Sequence, residues 1–287
     1  MAPIQSSSCL SRKCWIDAEQ TYLSQIGLNK MHTAKTAQIR TASTGMIGRA
    51  RPEIVQMKGY SSARSLAGDE AGLVYLDANE CAFEPFVGAN GLSRYPAQQP
   101  AQLVDAFCRW LDVSSRNLTI TRGADEAIDC LIRAFCIPAV DNVVICPPTF
   151  AMYAQSAMLQ GVTVRSAMLD SNFGLDLAAI EKAVDANTKM IFVCSPNNPT
   201  ANIMDAGAIQ KLCETYADTA LIVVDETYIE FSNQPSSIAK LDQFANLVVL
   251  RTLSKSHAAA GLRCGAAVAR GDVTSLLQKV LAPYPLA

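Results

Sequence analysis

From about residue 97 onward, short apolar runs of strand length alternate with segments whose apolar residues recur at helical spacing. This alternation is typical of an α/β fold. The strand-like runs are apolar almost throughout, so both faces of the sheet must be covered, which predicts a mostly parallel sheet flanked by helices. The predicted strands are 118–121, 142–146, 162–168, 190–194, 220–225, 247–251 and 265–269. The predicted helices are 101–111, 124–136, 150–159, 177–184, 206–217 and 273–281.

The amino-acid composition indicates which classes of binding partner the chain can have. Of 287 residues, 50% are hydrophobic and 17% are charged, with a net charge of −2, so the chain is globular and carries no basic excess for nucleic acid or an anionic membrane. No apolar run reaches the length of a membrane span. The ten cysteines form no CxxC pair and there are two histidines, so we expect reduced core cysteines and no metal site. These features predict a soluble intracellular protein that acts on small molecules.

The first 46 residues differ from the rest because they are rich in Ser, Thr and basic residues. Such a composition is found in transit peptides for plastids or mitochondria. A disordered or misassigned leader, with the true start at Met31 or Met46, fits equally well. We therefore predict an N-terminal extension over 1–46 and one domain over 47–287, in the cytoplasm or, with a transit peptide, in an organelle.

Four polar clusters directly follow predicted strands, at 123–126, 195–200, 225–228 and 252–255. In a parallel sheet the carboxyl ends of the strands meet at one edge, where ligands bind. None of the clusters matches GxGxxG or GxxxxGK[ST], so neither a dinucleotide site nor a P-loop is indicated. The clusters therefore predict one site with a different chemistry.

Asp225 and Lys255 indicate which chemistry this is. Asp225 ends an apolar strand, where a lone charge is costly unless a cation pairs with it. Lys255 follows the next strand, and burial beside another cation would favour its neutral, nucleophilic amine. A cofactor with an aldehyde, a pyridine nitrogen and a phosphate satisfies both residues. Pyridoxal 5′-phosphate is such a cofactor.

Other residues of the clusters suit the remaining parts of this cofactor. The turn from Gly123 to Asp125 opens a helix, whose N–H groups favour an anion such as the phosphate. Ser254 and Arg263 can add a hydroxyl and a cation. Three further candidates are Phe150 for stacking on the ring, and Asn198 and Tyr228 for its hydroxyl oxygen. Taken singly, each residue also has an ordinary structural interpretation, as a turn, a helix cap, a core side chain or a solvated cation.

Several ordered motifs resemble those of the fold-type I pyridoxal-phosphate-dependent aminotransferases, and within them the histidinol-phosphate aminotransferase family. The resemblance extends from about residue 47 to the end of the chain and implies the large domain of that fold. It is carried by YLDANE (75–80), RYP (94–96), TRGADEAIDCLIRAFC (121–136), CPPTFAMY (146–153), VCSPNNPT (193–200), VDETYIEF (224–231), RTLSKSHAAAGLRCG (251–265) and KVLAPYPL (279–286).

The resemblance implies transamination of L-histidinol phosphate with 2-oxoglutarate, which gives glutamate, in histidine biosynthesis. It implies that Lys255 forms the Schiff base and moves the proton, and that Asp225 pairs with the pyridinium. Tyr60 would contact the substrate phosphate, Asn198 would also contact the substrate, and Tyr228 would be a third catalytic residue beside Lys255 and Asp225. Tyr95 would reach the cofactor phosphate of a partner subunit in a homodimer. The remaining cofactor residues implied are Ala124, Asp125, Phe150, Asn198, Tyr228, Thr252, Ser254 and Arg263.

The sequence departs from the family pattern at several positions. Phe150 stands where tyrosine is common, Thr227 where alanine is usual, and His257 where an aromatic follows the lysine. Ala201 replaces a glycine, and if that position needs a positive φ, alanine is strained there. The chain ends before the family's C-terminal small domain. Two other hypotheses therefore stay open: a lyase or decarboxylase of a phosphorylated amino acid, and a noncatalytic remnant of the fold.

Overall fold

The structure, a computed structural model, describes residues 45–59, 80, 81, 83, 85–88 and 92–286. Most of the N-terminal extension predicted over 1–46 lies outside these residues, as do Tyr60 and most of the YLDANE motif. The compartment of the protein stays a prediction. Met46 is described, and its side chain is buried in the core.

One sheet organises the described part of the chain. Its seven strands lie in the order β1-β7-β6-β5-β4-β2-β3. β7 runs antiparallel to both neighbours, and all other pairs are parallel. The mostly parallel sheet predicted from the sequence is thus confirmed. The strands are β1 (Leu118–Thr121), β2 (Asn142–Ile145), β3 (Thr163–Ser166), β4 (Thr188–Cys194), β5 (Leu221–Asp225), β6 (Leu247–Thr252) and β7 (Gly265–Ala269).

Helices connect the strands and cover the sheet. In the helix Ala124–Phe135, named α3 below, Ile128, Leu131, Ile132 and Phe135 are buried as their helical spacing predicts. Short 3-10 turns precede β1 and β6 and follow β5 and β6. The α-helices are α1 (Pro52–Gln56), α2 (Ala101–Leu111), α3 (Ala124–Phe135), α4 (Met152–Leu159), α5 (Leu177–Ala183), α6 (Ala206–Thr215) and α7 (Gly271–Val280).

The core lies in two layers, one on each face of the sheet. Successive strand residues point to opposite faces, so Val223 of β5 packs in one layer and Ile222 and Val224 in the other. Helices α1, α3, α4 and α7 cover the first face, and α2, α5 and α6 cover the second. Both faces being covered explains why the strands are apolar throughout and why Asp225, at the end of β5, stands out.

The cysteines follow the sequence interpretation where they can be compared. The described cysteines are free thiols, and Cys130, Cys146 and Cys194 are buried as predicted, although Cys146 follows β2 and is not part of it. Among the described residues no helix has the length and apolarity to cross a bilayer. In the part of the chain that the structure describes, no three His, Cys, Asp or Glu side chains lie close enough together to hold a metal ion.

Candidate active site

A cleft of about 170 Å³ lies where β1, β4, β5 and β6 end. Every cofactor residue predicted within a single chain lines it, and Tyr95 does not. The cleft is lined by Gly123, Ala124, Asp125, Phe150, Cys194, Asn198, Asp225, Thr227, Tyr228, Thr252, Ser254, Lys255, Ala260 and Arg263. The topology therefore brings the four polar clusters together, as the parallel sheet predicts.

A larger cavity, of about 420 Å³, lies near the amino end of β1 and the carboxyl end of β7. Its charged lining residues are Arg116, Arg270, Asp242 and Asp272, so the positive and negative charges of the lining balance. It contains neither a nucleophile nor a buried carboxylate. The smaller cleft is therefore the candidate active site.

Asp225 forms the floor of the cleft at the end of β5, and 2% of its surface is exposed. Its Oδ1 accepts hydrogen bonds from the backbone N–H of Thr227 at 3.0 Å and from Thr227 Oγ1 at 2.6 Å. Its Oδ2 accepts one from the hydroxyl of Tyr153 at 2.7 Å. The sequence interpretation expected a cation beside this carboxylate, whereas these partners within the chain are neutral donors.

Two opposing effects act on the Asp225 carboxyl. Burial raises its pKa above the ordinary value, because the charged form loses its hydration. The hydrogen bonds from Thr227 and Tyr153 oppose this, since they favour the charged acceptor, but they do not cancel the effect of burial. The site therefore holds a carboxyl group that gains from a further positive or N–H partner.

Tyr153 is a functional candidate that the sequence reasoning missed. Its side chain is fully buried, and its ring stacks on Phe192 at 4.8 Å between centroids. Phe150 meets it edge-on at 5.6 Å. A buried tyrosine hydroxyl usually has a hydrogen-bond partner, so a tyrosine in this apolar segment signals a polar contact. The identity of that partner, 72 residues further along the chain, is visible only in the structure.

Lys255 lies in the loop that joins β6 to β7. The sequence placed this lysine at the end of a strand and in buried surroundings, but β6 ends at Thr252 and the Lys255 side chain is exposed. The strand does not continue to Lys255 because the Thr252 hydroxyl accepts a hydrogen bond from the Ser254 N–H at 3.2 Å, which starts a turn. Leu253 N–H then bonds Cys264 O at 3.0 Å and closes the base of the loop. Lys255 therefore lines the cleft at its solvent-exposed edge.

The end of the cleft near α3 has the features of an anion site. Gly123 caps the helix with a φ of 80°, and a Cβ on it would lie 3.2 Å from Nη2 of Arg263. The first N–H groups of a helix lack partners within the helix, and its dipole favours an anion there. Arg263 Nη2 lies 3.6 Å from Asp125 Oδ2, and both side chains are about half exposed. A guanidinium and helix N–H groups thus occur together at this end.

Phe150 and Asn198 come from different loops that Asn197 ties together. The side chain of Asn197 donates to Pro148 O at 2.9 Å and accepts from Thr149 Oγ1 at 3.0 Å. The sequence placed Phe150 one turn into a helix, but α4 begins at Met152, so Phe150 precedes it. In this position Phe150 lines the cleft and is partly buried.

A buried ionic cluster supports the ends of β5 and β6. The guanidinium of Arg251 forms ion pairs with Glu226, at 3.7 Å, and with Glu230. It also lies 4.9 Å from the ring centroid of Trp110, which contacts His257 edge-on at 4.8 Å. Arg251 and Glu226 directly adjoin Thr252 and Asp225, so the cluster fixes the positions of two cleft residues. Neither Arg251 nor Trp110 is among the site residues predicted from the sequence.

Of the predicted site residues that the structure describes, Tyr95 does not line the cleft. Tyr60 lies outside the described residues. Tyr95 is 52% exposed, and its ring stacks on Tyr284 at 4.3 Å between centroids. The assignment of Tyr95 to a partner subunit stays a prediction.

The fold and the cleft together define an α/β protein in which a lysine and a buried carboxylate meet at the carboxyl edge of a mostly parallel sheet. Residues 77–286 match the family model described as aminotransferase class I and II. The chain belongs to this family. The match covers all of the cleft residues named above.

Similar proteins carry more specific names. The chain is 44% identical over 240 residues to a histidinol-phosphate aminotransferase from Sodalis glossinidius, with 83% of this chain and 66% of that protein covered. It is 45% identical over 239 residues to one from Pectobacterium carotovorum subsp. carotovorum, with the same coverage of both chains. The chain therefore spans just under two thirds of the length of these relatives.

Solved structures agree with the fold. The structure of the histidinol-phosphate aminotransferase from Clostridium acetobutylicum superposes with a TM-score of 0.62 at 22% identity. The superposition covers 68% of this chain and 58% of that chain. At this level of identity the likeness supports the fold class, and the α/β fold with a mostly parallel sheet that the sequence predicts is confirmed.

Proposed function

We propose that the chain forms the pyridoxal-phosphate-binding part of an aminotransferase that transfers the amino group of L-histidinol phosphate to 2-oxoglutarate. The observation that carries the proposal is the single cleft in which Lys255, Asp225 and the N-terminus of α3 meet. The names of the relatives support the substrate pair over the alternative of a lyase or decarboxylase.

The residues present fit pyridoxal phosphate. Asp225 is a buried acceptor that gains from a further N–H partner, the N-terminus of α3 and Arg263 suit a phosphate, and Lys255 is an accessible amine. When bound, this cofactor supplies a carbonyl group for an amine and a ring that withdraws electrons from the substrate. Asp225 would keep a proton on the ring nitrogen, which makes the ring a stronger electron acceptor.

The other cleft residues would hold and orient the cofactor. Phe150 would pack against the ring face and keep water from it. Asn198 and Tyr228 would donate hydrogen bonds to the ring oxygen. The Nζ of Lys255 would take a proton from the substrate carbon that bears the amino group and return it to the cofactor side.

The proposal is tested with the purified 287-residue chain and pyridoxal phosphate. We expect visible absorption from the cofactor bound to an amine, and its loss in Lys255→Ala. Lys240→Ala is the matched control, because Lys240 is an exposed lysine in the 3-10 turn Ser237–Lys240 that does not line the cleft. With histidinol phosphate and 2-oxoglutarate, glutamate should form.

The alternatives predict different products. Visible absorption without glutamate formation would identify a noncatalytic remnant that binds the cofactor. Release of carbon dioxide from a phosphorylated amino acid would identify a decarboxylase. If wild type and Lys255→Ala give the same spectrum, the role of Lys255 is wrong.

We further propose that the chain acts as a homodimer, with Tyr95 contributing to the site of the partner. The exposure of Tyr95 and its position outside its own cleft support this arrangement. Sedimentation equilibrium should give twice the chain mass of 30.8 kDa. A monomer at micromolar concentration would contradict the proposal.

A further inference from the structure

Thr227 donates two of the three hydrogen bonds that the side-chain carboxylate of Asp225 accepts. Its backbone N–H and its hydroxyl both reach Oδ1, at 3.0 and 2.6 Å. Oδ2 has one donor, the Tyr153 hydroxyl at 2.7 Å. All three residues are buried, so water does not readily replace these donors.

The two carboxylate oxygens of Asp225 differ in the number of hydrogen bonds that they accept. An ionised carboxylate accepts at about four lone-pair positions, two on each oxygen. Thr227 fills both positions of Oδ1, while Tyr153 fills one position of Oδ2. The acceptor capacity that remains is therefore on Oδ2.

The hydroxyl of Thr227 also favours the charged form of Asp225. Among the groups that lower the pKa of this carboxyl, it has the largest effect, followed by the Tyr153 hydroxyl. Burial and the Asp125 charge act in the opposite direction. Removing the Thr227 hydroxyl would therefore make protonation of Asp225 easier.

We propose that Thr227 is a positioning residue, whose hydroxyl holds Oδ1 of Asp225 and leaves Oδ2 as the acceptor for the ring N–H of the cofactor. This inference rests on the proposed function, because it requires pyridoxal phosphate in the cleft. A purely structural role is the competing explanation, since an Asp that accepts from the N–H two residues later forms an ordinary Asx-turn. A positioning role requires that the effect of Thr227 on cofactor binding depends on the ring nitrogen, and a purely structural role does not.

The test measures the dissociation constants of two compounds from the 287-residue chain. One is pyridoxal phosphate, and the other is its 1-deaza analogue, which has carbon in place of the ring nitrogen. Thr227→Val removes the hydroxyl at nearly constant volume, and Thr227→Ser keeps the hydroxyl. Tyr153→Phe removes the donor to Oδ2 and keeps the ring that stacks on Phe192.

We expect Thr227→Val to weaken pyridoxal phosphate binding by about tenfold or more, the usual effect of losing a hydrogen bond to a charged group. Binding of the deaza analogue should change by less than about twofold, and Thr227→Ser should restore the wild-type ratio. If Thr227→Val does not fold, Tyr153→Phe should show the same selective loss.

Equal weakening of both compounds would assign Thr227 a structural role and overturn the inference. Unchanged binding of both would overturn it as well. Both results leave the proposed function intact, because the wild type still binds pyridoxal phosphate. A wild-type chain that binds neither compound would overturn the proposed function and this inference with it.

Discussion

Gly265 is the position at which one added methyl group should do the most damage to both fold and cleft. It begins β7, where it pairs with Thr121 of β1 and Thr252 of β6. A Cβ there would lie 2.7 Å from Arg251 O and 2.8 Å from the Cα and carbonyl carbon of Gly123. All three contacts are with backbone, which cannot rotate away as a flexible side chain would.

The magnitude follows from this geometry. Overpacking a well-packed interior costs about 1–3 kcal/mol, and rigid neighbours place Gly265→Ala near 2 kcal/mol or above. For a folded unit of this size that corresponds to a melting temperature lower by about 4–8 °C. Because Gly123 would have to move, the turn at the N-terminus of α3 should also bind pyridoxal phosphate more weakly.

Urea unfolding, a thermal melt and a cofactor titration measure these effects. Gly261→Ala is the matched control, since a Cβ at Gly261 meets nothing within 4 Å, and we expect its stability to stay close to wild type. If Gly265→Ala is as stable as Gly261→Ala, the reasoning about this close backbone approach is refuted.

Three further predictions concern strain and buried charge. Ala201 has a φ of 59°, so Ala201→Gly should stabilise the chain by about 1 kcal/mol in urea unfolding. Ala106→Gly, within α2, is the control and should destabilise the chain by about 0.5–1 kcal/mol. A change of the same sign in both variants would refute the strain at Ala201. Because burial raises the Asp225 pKa, its contribution to stability is complete below pH 3.8 and is lost as pH rises through the folded-state value. The cofactor-free wild type should therefore lose stability relative to Asp225→Asn as the pH rises above 3.8, and parallel stability curves would contradict this. Arg251→Met leaves Glu226 buried without its cation and should cost about 3 kcal/mol, which an unchanged urea midpoint would disprove.

Local patterns were sufficient to predict most of the fold. The helical spacing of Ile128, Leu131 and Phe135 predicted α3, and the apolar run before Asp225 predicted β5 as a strand covered on both faces. Ala201 has a positive φ, which is the condition under which the sequence predicts strain at this position. Helices and strands of this kind depend on residues that are close in the sequence, so the spacing of apolar residues in a single sequence is sufficient to predict them.

The features that the sequence did not predict depend on contacts between distant segments. Asp225 meets Tyr153 across 72 positions, and Arg251 meets Trp110 through the packing of β6 near α2. The exposed position of Lys255 follows from a turn that begins at Thr252, three residues earlier than the amine. Periodicity and motif spacing do not contain such tertiary information.

A crystal structure of the 287-residue chain with pyridoxal phosphate tests the central claim most directly. The account predicts density continuous with Nζ of Lys255 and a ring nitrogen within about 3 Å of Oδ2 of Asp225. Cofactor density elsewhere, or a ring nitrogen that faces away from Asp225, would contradict it.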